Sequence, residues 1–212
     1  MGRRIPAWLA VGAFAFLLRL GYVVLADEPL LFRHQYHYFR GGLSIAENAH
    51  PWSFIVHSDE WRMWDGMWTL APGYLWFLAA GFRLGGFHLF PIQVAQCALE
   101  AGTAALVALL ARRVSTPRLG LLAGLVYALY WPSVVLPGST MTDNLHTFLL
   151  TAAFVAMTGL VVHGEDRPRA ELLRGVAVGL LFGVAGLART VGTAFLALAL
   201  PWLALEPARR RR

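Results

Sequence analysis

Lysine is absent from this chain, and charge of either sign is scarce. Only 14% of the 212 residues are charged, against about a quarter in a soluble domain. All eighteen basic residues are arginine, and with twelve acids they leave a net charge of +6. A basic balance can signal nucleic-acid binding. Here the arginines sit at the ends of hydrophobic segments, which argues against nucleic acid and for a membrane topology signal. Cysteine is nearly absent too. Cys97 stands alone in an apolar stretch, so no intramolecular disulfide staples the fold, and it reads as a small buried hydrophobe. Alternation with period two is missing, which argues against a transmembrane barrel. No internal repeat is visible, and the only low-complexity segment is Arg209–Arg212.

What is present is apolar. Hydrophobic residues make up 58% of the chain. Long runs cover Ile5–Leu18, Val114–Leu136 beside a short basic patch, Leu145–Val162, and Gly175–Leu205 broken only by Arg189. In lipid each backbone polar group must be satisfied within its own segment, so such runs become helices. The expected fold is all-α, a polytopic transmembrane bundle of about five to seven membrane segments forming one membrane domain over 1–212. The apolar run behind Gly2-Arg3-Arg4 is about 20 residues, longer than a cleaved signal, and predicts an uncleaved first helix.

Arginine placement sets the orientation. Arg3 and Arg4 hold the amino terminus in the cytoplasm, and helix one (6–25) leads out. Residues 27–70 form a large extracytoplasmic loop with interfacial helices. Helix two (90–111) returns to Arg112 and Arg113, helix three (119–136) exits at Trp131-Pro132, and helix four (144–162) returns to a cytoplasmic loop at 163–174. Residues 175–188 rise to Arg189, and 190–205 come back. Twelve of the eighteen arginines then face the cytoplasm and four lie outside, as the positive-inside rule requires. Pro72–Gly85 is too short to cross at about 1.5 Å per residue and is expected to lie in the interface or dip into the membrane. Gly175–Ala188 is also short. Its Gly175, Gly179, Gly183 spacing is the small-xxx-small pattern of close helix contact.

Several residues invite chemistry. The outer loop holds half of the tryptophans, and Trp61, Trp64 and Trp68 fall at helical spacing, suited to lying on headgroups. It also holds Asp27, Glu28, Glu47, Asp59, Glu60 and Asp65 with His34, His37, His50 and His57. Such a set is able to bind a divalent metal, although no tight ligand spacing picks out a pair. Gln93, Gln96 and Glu100 share one helix face. A carboxylate within a span is a functional candidate or a protonated bond to a neighbouring helix. Asp143 and Asn144 open helix four, with Thr147 and Thr151 continuing inward. They read as an N-cap or as ligands. Arg189, between two apolar segments near the outer surface, suits a phosphate, or a pairing with Asp143, Glu100 or headgroups.

Three segments then resemble a known family. Ala71-Pro72-Gly73-Tyr74-Leu75-Trp76-Phe77-Leu78-Ala79 resembles the "PPGYP-FLA" segment of C-type (GT-C) membrane glycosyltransferases. Ala111-Arg112-Arg113, Gly120–Trp131-Pro132 and the Thr142-Asp143 pair resemble the part that follows. Gly183-Val184-Ala185-Gly186-Leu187-Ala188-Arg189-Thr190 resembles "GLA-LTRP". The nearest groups are the protein mannosyltransferases, aminoarabinose transferases and rhizobial lipopolysaccharide transferases, with this chain corresponding to their amino-terminal half. The resemblance implies a polyprenyl-phosphate-linked sugar donor, a glycan, lipid or protein acceptor, and an active site at the outer face of a bacterial inner membrane. It also implies a catalytic aspartate in the first outer loop. Here the chain departs, because Phe32-Arg33-His34-Gln35-Tyr36-His37-Tyr38 carries no acid at the expected place. The catalytic candidates are Asp27, Glu28, Asp59, Asp65 and His34, and the substrate-binding candidates are Arg189, Asp143, Asn144, Glu100 and Tyr74. The rival expectation is a non-catalytic membrane protein: a fragment, a subunit that completes a split enzyme, or a lipid or small-molecule transporter. A transporter predicts an internal repeat.

Overall fold

A computed structural model describes residues 6–26, 33–50, 71–162, 168–195, 197–199 and 201. Every element described is helical. Helix α1 covers Ala7–Leu25, α2 Arg33–Asn48, α3 Pro72–Leu84 and α4 Leu89–Val114. Then come α5 at Pro117–Leu129, α6 at Trp131–Val135, a 3₁₀ turn at Leu136–Gly138, α7 at Asp143–Val162 and α8 at Pro168–Ala188. Residues 191–195 and 197–199 are helical as well. Among the described residues, α1 and α4 are long and apolar enough to cross a membrane, and α5 with the α6 segment makes a third if that bent pair is one span.

Helix α4 is the axis of the bundle. On one side Ala101 and Ala104 pack with Val11 and Ala15 of α1 and Ala128 of α5. This core is made of small residues, as expected where lipid gives no hydrophobic drive and van der Waals contact must hold helices together. A Cβ at Gly124 would stand 2.6 Å from that of Ala108, and one at Gly120 2.7 Å from Ala108's carbonyl oxygen. Gly120, Gly124 and Ala128 are all buried, so the close-contact stripe lies on α5. The expected stripe at Gly175, Gly179 and Gly183 meets nothing within 4 Å among the described residues. The spacing is the same in both; among the described residues a partner helix faces only one of them.

The pair of α5 and the α6 segment is broken by a bend. Pro132 has no N–H to give Ala128's carbonyl, and the axis bends by 61° between α5 and the α6 segment. Arg19 of α1 is fully buried against this break. Its guanidinium donates to the carbonyls of Ala128 (3.2 Å) and Tyr127 (3.4 Å) and to Ser133 Oγ (2.7 Å). A side chain from the first helix thus satisfies the Ala128 carbonyl that the proline frees.

Helices α2 and α3 form a cap of 16 and 13 residues. Ile45 and Ala46 of α2 pack on Tyr74, Leu75, Leu78 and Phe82 of α3 and on Ile92 of α4. Tyr74 meets Gln96, while Gly81 lies against Ile92 and Gly85 against Pro91. Helix α3 therefore touches only the first turns of α4, and at about 20 Å it is shorter than a hydrocarbon core of about 30 Å. Helices α7 and α8 pair through Ala153, Val178 and Phe182, with Ala199 of the returning segment packed on them. Helix α8 begins at Pro168, where the ring is tolerated in the first turn, seven residues before the expected rise at Gly175. The helix is 21 residues long, while its apolar part, Leu172–Ala188, is short, as expected.

Candidate functional site

Five helices and the 3₁₀ turn meet at one end of the bundle. Helix α8 ends at Ala188 and the chain reverses at once: Gly192 N donates to Arg189's carbonyl at 2.9 Å and Thr193 N to that of Thr190 at 3.0 Å. Arg189 thus stands at the tip of a helical turn, partly exposed, and forms an ion pair with Asp143, the first residue of α7. The tip is fixed from two sides. His146 Nδ1 lies 3.1 Å from the carbonyl of Ala185. The start of α3 presses on it so closely that a Cβ at Gly73 would come within 2.8 Å of Leu187's carbonyl carbon. The Pro72-Gly73-Tyr74 and Leu187-Ala188-Arg189 segments, over a hundred residues apart, are in contact.

Two phenols line the same corner. Tyr38 of α2 is within hydrogen-bonding reach of Thr142's side chain and Ala71's backbone, in the field of both Arg189 and Asp143. Burial pushes its pKa up, and Arg189's charge draws it back in part. Tyr74 is fully buried and meets Tyr38 edge to face, with centroids 5.3 Å apart. Burial holds its pKa well above the usual phenol value, so it is a neutral donor, and its hydroxyl donates to Gln96 Oε1 at 2.7 Å.

Gln96 carries the contact onward. Its amide donates to the carbonyls of Pro137 (2.9 Å) and Ser139 (2.8 Å), and Gln93 donates to that of Gly138 (2.9 Å). Thr140 Oγ1 ties the same turn to Gln35's carbonyl in α2 at 2.9 Å. The turn before α7 is thus pinned by three side chains, which sets where Asp143 and Asn144 project. Asn144 is fully buried. Its amide nitrogen donates to Leu136's carbonyl at 3.3 Å, while Oδ1 has no hydrogen-bond partner among the described residues.

Of the residues singled out from sequence, Arg189, Asp143, Asn144 and Tyr74 come together here. Glu100 goes elsewhere. It is buried one turn below Gln96, accepts from Tyr127's hydroxyl at 2.9 Å, and lies 3.9 Å from the Arg19 guanidinium. Asp27, Glu28, Asp59 and Asp65 lie outside the described residues, as do Trp61, Trp64, Trp68 and the side chain of His34. Among the described residues no three His, Cys, Asp or Glu side chains gather as metal ligands. Tyr38 and His146 were not singled out in advance. Their signal was present: Tyr38 stands in the loop segment compared with the family, and His146 follows Asp143 by three residues on one helix face. Cys97 is buried, as expected.

The family of dolichyl-phosphate-mannose-protein mannosyltransferases matches residues 69–212. The chain belongs to this family. No curated protein and no solved structure matches it. The matched region begins just before Ala71 and contains both contacting segments, while the loop ahead of residue 69 lies outside it. Mannosyltransferase-family membership and the apolar helices together make this an integral membrane protein of the membrane glycosyltransferase class.

Proposed function

We propose that the chain transfers a sugar from a polyprenyl-phosphate-linked donor to an acceptor hydroxyl at the extracytoplasmic face, using the corner around Arg189. One observation carries this reading: the two family-like segments and the Thr142-Asp143 pair converge on a single partly exposed arginine. A planar guanidinium suits a phosphate's paired oxygens. Asp143 holds Arg189 in place until the donor arrives. Arg189 and the neutral Tyr38 hydroxyl then face the phosphate, and the buried Oδ1 of Asn144 accepts from a sugar hydroxyl.

In the reaction the acceptor oxygen attacks the anomeric carbon. The bond from that carbon to the phosphate oxygen breaks, and the polyprenyl phosphate leaves with the electron pair. Arg189 stabilises the charge that develops on it. The acceptor's proton passes to a base drawn from Asp27, Glu28, Asp59, Asp65 or His34.

The test is binding of a polyprenyl-phosphate sugar to the purified protein in detergent, wild type beside Arg189→Gln and Arg189→Lys. Wild type should bind, Arg189→Lys weakly, and Arg189→Gln at least tenfold more weakly. Equal binding by all three removes Arg189 from the site. No binding by wild type favours the non-catalytic reading.

A further inference from the structure

Three successive carbonyls, those of Pro137, Gly138 and Ser139, stand where the 3₁₀ turn ends. Two glutamines of α4, three residues apart on one face, bond all three. Gln93 takes the middle one, and Gln96 takes the two that flank it. Gln96 differs from Gln93 in being fully buried and in using both ends of its amide. Its nitrogen donates to the two carbonyls, and its oxygen accepts from Tyr74's hydroxyl. A primary amide has two N–H donors and one carbonyl acceptor, so each part of this side chain has a partner. Glutamate in its place would set an oxygen against two carbonyls. Methionine would leave two carbonyls and a phenol short of a buried partner, at a desolvation cost.

The two groups that Gln96 joins lead to the two halves of the ion pair. Tyr74 directly follows Gly73, whose backbone lies against Leu187 and Ala188, next to Arg189. Ser139 stands four residues before Asp143, and Asp143 pairs with Arg189. One amide thus spans the gap between the helix that presses on the arginine's turn and the turn that carries the carboxylate. Tyr74 has no exposed surface, and its hydroxyl proton is spent on Gln96. It acts on the site through Gln96 rather than by touching a substrate.

We propose that Gln96, with Tyr74, is a positioning residue that holds Asp143 and Arg189 in register. Its consequence for donor binding rests on the function proposed above; the positioning of the ion pair does not. A glutamine that only packed α4 into the bundle would add stability and leave Arg189 held as before. A glutamine that positions the pair acts through Asp143, so its removal changes nothing at Arg189 once the Asp143 charge is gone. Residues coupled in one network depart from additivity in this way, and independent ones add.

The experiment uses the full chain purified in detergent, with three readouts. These are thermal unfolding, the rate at which phenylglyoxal modifies Arg189 (followed on its peptide by mass spectrometry), and binding of a polyprenyl-phosphate sugar. Asp143→Asn frees Arg189 directly and should raise its modification rate by roughly threefold, within the range of an exposed ion pair. Tyr74→Phe, which removes one hydroxyl, and Gln96→Met, which removes the amide, should each raise the rate as well. Neither should raise it further in the Asp143→Asn background. Thr103→Val, buried seven residues further along α4, should lower Tm and leave the rate unchanged. Donor binding should weaken wherever the rate rises. An unchanged rate in Gln96→Met or, should that variant not fold, in Tyr74→Phe overturns the proposal. So does an equal rise in the Asp143→Asn background, or a rise of the same size in Thr103→Val. A wild type that binds no donor overturns the proposed function and leaves the rates to decide the positioning.

Discussion

A carboxylate that merely favours a helix start and one that holds an arginine respond differently when the charge is removed. Asp143 is the first residue of α7, where a negative side chain interacts with the helix dipole by about 0.3–1 kcal/mol. It also holds Arg189. Asp143→Asn should therefore express normally and lose little Tm, while sugar transfer falls by more than tenfold because Arg189 is no longer oriented. Full activity in a transfer assay of the variant would leave Asp143 with only its local role. Asn144, one residue on, is instead a matter of an unmatched acceptor. A buried oxygen with no partner among the described residues is uncommon and calls for an explanation, and a ligand hydroxyl would supply one.

Glycines at the element scale separate contact from spacing. Gly73→Ala drives a methyl group into the backbone at Leu187 and should lower Tm by several degrees and disturb Arg189. Gly179→Ala meets open space, and in a helix it should stabilise by about 0.5–1 kcal/mol. Thermal unfolding of the two variants side by side checks the contrast. The same contrast marks what was legible in the sequence. Helix positions were readable from apolar runs, so α1, α4 and α7 fall within a few residues of expectation. The shared face of Gln93 and Gln96 was readable from spacing, though not the turn that it grips. The partner of a small-residue stripe was not readable, because identical spacings on α5 and α8 differ only in what lies opposite. Nor was the pairing of Glu100 with Arg19, which depends on how two distant helices pack. Arg19→Leu should destabilise by about 3–5 kcal/mol, as when one member of a buried ion pair is removed. Adding Glu100→Leu should recover part of the loss in the same unfolding assay.

At the scale of the whole molecule, the expected asymmetry of twelve arginines on one side against four on the other gives a testable orientation. In a Cys97→Ser background, cysteines introduced at Ser53 and Ser115 should react with an impermeant thiol reagent from opposite faces of sealed vesicles. Labelling of both from one face would overturn the topology. The break at Pro132 also bears on how the protein is made. Arg19 leaves the ribosome 114 residues before Ser133, which at about 5–20 residues per second is on the order of ten seconds. Until Glu100 follows it, the first helix sits in the bilayer with an unmatched guanidinium at a cost of about 2.5–3.5 kcal/mol on insertion scales. Its ten Leu, Val and Phe residues offset this with about 0.3–0.6 kcal/mol each, so the helix enters the membrane alone but only narrowly. Glu100 of α4 supplies the first partner, and the kinked segment supplies the rest. The order of synthesis therefore gives α5 and α6 a waiting partner, and the first helix acts as the template on which the later ones dock.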